Sequence, residues 1–128
     1  VVGNYGKGSG YSGDGGQGTS AQISGARGVS VDHAGRIFIA DADNNVIRMV
    51  DTSGVISTVA GIGNSGGFSG DGEQGISARL DHPHGVSVDN AGRLYIADTS
   101  NQRIRMLQIA PPATTKKPTT APTGTLCI

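Results

Sequence analysis

An all-β fold built from two tandem copies of one four-stranded unit is what this sequence predicts, and three observations predict it. The first is an internal repeat. Ser12–Gly15 (Ser-Gly-Asp-Gly) returns at Ser69–Gly72, Gly28–Asp32 (Gly-Val-Ser-Val-Asp) at Gly85–Asp89, Ala40-Asp41 at Ala97-Asp98, and Ile47–Met49 at Ile104–Met106, always 57 residues on. About half of the first 50 positions recur unchanged, and a fixed period of this length decides an architecture before any local propensity does. The second observation is 22 glycines in 128 residues, which supply turns and close backbone approaches rather than long helices. The third is a series of short β-branched stretches with turn residues between them.

In the first copy Gly28–Asp32 alternates as a strand, and His33-Ala34-Gly35 ends it. Residues 36–41 (Arg-Ile-Phe-Ile-Ala-Asp) are apolar on both faces, the pattern of a strand covered on both sides. Asp43-Asn44-Asn45 supplies turn chemistry before a third strand near 46–51, and Thr52-Ser53-Gly54 turns the chain into a fourth near 55–60. The same elements are expected 57 residues later. A glycine-rich loop over 61–75 and a short polar segment over 76–84 join the copies. Four short antiparallel strands per repeat, with a buried second strand, describe a propeller blade, because each blade is sandwiched between two others.

The string from Gly67 to Arg105 is Gly-Phe-Ser-Gly-Asp-Gly, Ala-Arg-Leu, Pro-His-Gly-Val-Ser-Val-Asp, Gly-Arg-Leu-Tyr-Ile-Ala-Asp and Asn-Gln-Arg-Ile-Arg, with short spacers. It resembles the NHL repeat, in the long-loop form of bacterial and extracellular proteins, and the likeness covers residues 1–107 in two copies. The resemblance implies part of a larger propeller, usually six-bladed, or of a repeat array. It says little about function, since NHL propellers include protein-interaction, RNA-binding, sensor and lyase members. The expected organisation is a first blade over 1–57, a second over 58–108, a Thr/Pro/Lys-rich insert over 109–123, and a strand over 124–128 that completes the second blade.

Repetition also weighs the candidate sites. Asp14 and Asp71 lie in glycine-rich loops where carboxylate and carbonyl oxygens could hold calcium. Because both copies carry them, the favoured reading is a fold role, an aspartate accepting backbone N–H bonds in a tight turn. Asp41 with Arg48, and Asp98 with Arg105, are expected to pair structurally, across the hairpin or between blades. His82-Pro83-His84 replaces Gly25-Ala26-Arg27 and is not demanded by the repeat. Two imidazoles in His-x-His could share a metal, as the histidines of NHL-type lyases do, but no third ligand or general base accompanies them. A plain turn is the favoured reading, and no cofactor or catalytic residue is assigned.

Lys+Arg and Asp+Glu both total 10, so no net field draws the chain to nucleic acid or an anionic membrane. No apolar run reaches the ~18 residues of a membrane span. Cys127 is the lone cysteine, which excludes an internal disulfide and a cysteine-based zinc site. After Gln108 the composition turns to Thr, Pro and Lys, as in O-glycosylated stalks. Thr114, Thr115, Thr119, Thr120 and Thr123 are the candidate acceptors.

The chain begins at Val1 without a methionine or signal peptide, as a mature product or an excerpt would. Gly124-Thr-Leu-Cys-Ile128 followed by Val1-Val2-Gly3 parallels Gly54-Val-Ile-Ser-Thr-Val-Ala-Gly61, so one unit is expected to run into the next in strand register, with Cys127 in the place of Ser57. The leading expectation is a non-enzymatic extracellular structural unit that joins copies of itself head to tail, covalently or not, and carries glycans. A ligand- or protein-binding sensor propeller is the alternative, and an NHL-type lyase fragment the third.

Overall fold

The computed structural model describes residues 1–112 and the backbone of Leu126 and Cys127. Eight strands form two four-stranded antiparallel sheets, each in sequential order. The first contains β1 (Ala26–Val31), β2 (Ile37–Asp41), β3 (Val46–Val50) and β4 (Ile56–Gly61). The second contains β5 (Pro83–Val88), β6 (Arg93–Asp98), β7 (Arg103–Gln108) and β8 (Leu126–Cys127). No α-helix occurs among the described residues. The expected strands are found within a residue or two. The hydrogen-bonded sheet runs on through Gly61, so a boundary at 57/58 marks the repeat period rather than the edge of a blade.

Turn chemistry makes the hairpins. Asp32 accepts N–H bonds from Ala34 (3.0 Å) and Arg36 (2.9 Å), and Arg36 Nε donates to its other oxygen at 2.7 Å. Asp89 does the same for Ala91 and Arg93. Burial raises the Asp32 carboxyl, but the bonds and charge of Arg36 and the Ala34 amide outweigh it and leave the pKa below the ordinary value. Gly35 closes the turn at φ +92° and Gly92 at φ +78°, a backbone shape that side chains resist.

β1 and β5 start two residues earlier than their alternation suggested, because each opens with a bulge. Register slips between Ala26 and Gly28, and likewise between Pro83 and Gly85. Cys127 pairs with Met106 as Ser57 pairs with Met49, the place expected for it. The insert therefore enlarges the β7–β8 connection. Its root is tied down by Arg36, which donates to the Ala110 carbonyl at 2.8 Å, and by Ile109 N–H to the Gly92 carbonyl at 3.0 Å.

The sheets stack face to face. One face of the first blade presents Phe38, Ala40, Ile47 and Met49; the opposing face of the second presents Leu94, Ile96 and Leu107, with Val86 and Val88 at its margin. All but those two valines are essentially buried, and this seam is the main core. A smaller cluster of Ala21, Ile39, Val50 and Ile56 lies on the other face of the first blade, with Val2 and Ile37 against it.

Candidate functional site

Each copy buries a whole arginine. Arg48 and Asp41 are both 0% exposed and meet at 3.1 Å, from adjacent strands of one blade. Such a pair survives desolvation only when nearly all its polar atoms are satisfied. Arg48 also donates to the Ser12 and Gln22 carbonyls and reaches Asp14 at 2.8 and 3.2 Å. Asp41 accepts from Asn44 at 3.0 Å and from the Ser24 amide at 2.7 Å. Burial pushes the Asp41 carboxyl upward, against those bonds, which favour its charged form. Tyr11 covers the guanidinium at 4.9 Å. The guanidinium thus staples the long glycine-rich loop to the sheet.

The second copy repeats this. Arg105 meets Asp98 at 3.1 Å and Asp71 at 2.7 Å, and donates to the Arg79 and Ser69 carbonyls. Asn101 stands where Asn44 does. One difference separates the copies. In the first, the Tyr11 and Thr58 hydroxyls hold the second oxygen of Asp14, at 3.2 and 2.6 Å. Phe68 replaces Tyr11 and stacks under both Arg103 and Arg105, at 4.1 and 4.7 Å. Arg105 Nε is left as the one buried side-chain polar atom without a partner among the described residues.

Two expectations need correcting. Asp14 and Asp71 do not cap their turns with backbone amides; the turn after Gly13 is closed by Gly16 N–H on the Gly13 carbonyl. Their carboxylates are spent on the buried arginines, because a guanidinium taken out of water demands a counter-charge. The His82-Pro83-His84 stretch is not simply a turn. His82 has a left-handed backbone at φ 46° and its Nδ1 lies 2.7 Å from Asp81, whereas His84 is the bulged residue of β5. Among the described residues no three His, Cys, Asp or Glu side chains cluster as a metal site. The five candidate threonines, Thr114, Thr115, Thr119, Thr120 and Thr123, lie outside the described residues. Sequence reasoning missed Asn101, Tyr11 and Phe68 as members of the cluster, and read Asn44 only as turn chemistry. The asparagines did carry a signal, since they also recur at the 57-residue period.

An open groove of about 370 Å³ runs between the Asp32 and Asp89 turns, beside His33, Gln108 and Pro111. Both carboxylates are already engaged by their own turns and arginines.

The exposed sheet faces are more telling. Tyr95 is 37% exposed where its counterpart Phe38 is 0%, and Ile104 is 61% exposed where Ile47 is 0%. On the opposite end, Val29 and Val31 are 66% and 59% exposed, although Val86 and Val88 pack into the seam. Each blade thus has a face A, which includes Val29 and Val31 or Val86 and Val88, and a face B, which includes Phe38 and Ile47 or Tyr95 and Ile104. The seam joins face B of the first blade to face A of the second. Face B of the second is open; face A of the first is open along Val29 and Val31, while residues of the N-terminal segment such as Val2 and Ala21 cover its Ile39, Val50 and Ile56.

Known proteins are similar to this chain in sequence and in fold. Residues 7–69 match the model of the teneurin NHL domain, and residues 80–106 that of the NHL repeat. The chain is similar to mouse Teneurin-1, 39% identical over 94 residues that are 64% of this chain, and to human Teneurin-4, 38% identical over 100 residues that are 69% of it. It is also 34% identical, over 84 residues and 64% of its length, to the Arabidopsis thaliana protein SUPPRESSOR OF QUENCHING 1, chloroplastic. It spans only 3%, 4% and 8% of these three relatives. A crystal structure of a structural-genomics protein of unknown function from Bacteroides thetaiotaomicron superposes with a TM-score of 0.62 at 19% identity, over 86% of this chain and 23% of that one. That likeness supports the fold alone. With both copies matched, each by an NHL model, the chain belongs to the NHL-repeat β-propeller family.

Proposed function

We propose that this chain is a non-enzymatic, extracellular scaffold unit, O-glycosylated on its insert, that joins copies of itself head to tail. The observation that carries the reading is the unequal burial of matched residues: Tyr95 and Ile104 lie open where Phe38 and Ile47 are buried. Large apolar patches left on a soluble surface mark interaction sites. Here the patch is matched by a second open face of the kind that already covers its counterpart within the chain. Heterologous contacts of that kind generate rings or filaments. The Thr/Pro composition of residues 109–123 supports glycosylation, and the similarity to teneurins supports an extracellular setting.

Intact mass under native conditions, on material secreted from cells that attach O-linked sugars, tests this reading. The expected result is a ladder of multiples of the 12.9 kDa chain, each raised by sugar increments. Replacing Thr114, Thr115, Thr119, Thr120 and Thr123 with Ala removes the increments and keeps the ladder. Single, unmodified chains at every concentration would contradict it.

A further inference from the structure

Two glycines at matched positions of the repeat differ in what requires them. Gly28 in β1 permits a close backbone approach in the seam: a Cβ there would come within 2.8 Å of the His84 carbonyl oxygen and 3.0 Å of Gly85 Cα. Nothing bulkier than hydrogen fits. Gly85 is the same residue one repeat later, at φ outside the left-handed region, yet a Cβ added to it meets only Ala97 Cβ at an ordinary 3.4 Å. Neither backbone shape nor packing among the described residues requires glycine at position 85. A side chain there would also favour the strand, since glycine in a strand interior weakens it.

Two polar groups repeat the argument. Ser30 accepts the Val88 amide across the seam at 3.2 Å, and Asn45, left-handed at φ 60°, accepts the His82 amide at 2.8 Å. Their counterparts are Ser87, which is exposed, and Gln102, also exposed and left-handed at φ 55°. The residue that stands where His82 does is Gly25, and it shares the left-handed backbone, at φ 61° against 46°.

From these matched positions we infer that β5 of one chain receives β1 of a second copy at backbone distance, with Gly85 as the contact point. Ser87 accepts the Val31 amide of that copy, and Gln102 accepts its Gly25 amide. The second copy is the occupant because its face A is the surface that the matched seam residues already hold inside the chain. This inference rests on the head-to-tail reading and adds the strand, the contact residue and the two hydrogen bonds.

Sedimentation equilibrium of the wild-type chain, Gly85→Val and Ser87→Val tests it, with a thermal melt of each. Gly85→Val is expected to melt at or above the wild-type temperature at concentrations where both are single chains, and to associate at least 100-fold more weakly. Ser87→Val is expected to fold normally and associate at least 10-fold more weakly. If the wild type assembles and Gly85→Val assembles equally well, the join does not run through β5 and the inference falls, while the head-to-tail reading stands. If Gly85→Val fails to fold, Ser87→Val decides in its place, and wild-type association in that variant overturns the inference. A wild type that stays single overturns both.

Discussion

Arg48→Ala is expected to cost about 3–5 kcal/mol, because it leaves the fully buried Asp41 carboxylate without its counter-charge. For a domain of this size, that is a large share of the whole stability. Asp14→Ala removes a partner that is itself 39% exposed, so water replaces part of what is lost and the cost is about 1–2 kcal/mol. The two losses are not additive, since both residues serve one guanidinium. Arg48→Met tests whether charge or volume matters: it fills the space but strands Asp41, and is expected to resemble Arg48→Ala. Urea unfolding of the three variants measures this. A loss below about 1 kcal/mol for Arg48→Ala would show that the buried cluster does not hold the loop.

Matched aromatics give the second large effect. Phe38→Ala opens a cavity in the seam and is expected to cost about 3–5 kcal/mol. Tyr95→Ala, at the same position of the repeat, removes a ring that is partly in solvent, and is expected to cost less than about 1 kcal/mol in the single chain. Urea unfolding at low protein concentration gives the difference. The proposed head-to-tail joining would add a second penalty for Tyr95→Ala at higher concentration, because the ring would then be covered. Equal costs at low concentration would mean that the two blades are not in different surroundings.

Most of the fold was legible in the sequence, because the 57-residue period fixes two like units and alternation fixes their strands. Residues 36–41 read as covered on both sides, and β2 is almost wholly buried. The matched stretch in β6 alternates between buried and open, although its sequence is nearly the same. Exposure there depends on what stands beside the blade, which the residues of one strand do not encode. The pairing of Asp41 with Arg48 was legible, and so was the placing of Cys127 opposite the third strand. The role of Asp14 was not, because its partner lies 34 residues away and is reached only when the long loop folds back over the sheet. The bulge at His84 escaped for a similar reason: register slips are set by pairing with β6, not by the residues of β5 alone.

A mixing experiment tests the head-to-tail account most directly. Ile104→Glu places a charge on open face B, and Val29→Glu with Val31→Glu places two on open face A; all three side chains are exposed, so both variants are expected to fold. Each variant alone can make no continuous chain, since every head-to-tail contact would include a charged face. Mixed, they restore one intact pair, the face B of the valine variant against the face A of the Ile104→Glu variant. The account predicts two single-chain samples that give a one-to-one dimer on mixing, seen as a doubling of mass in sedimentation velocity. A mixture that stays single, or a valine variant that dimerises on its own through matching B faces, would contradict it.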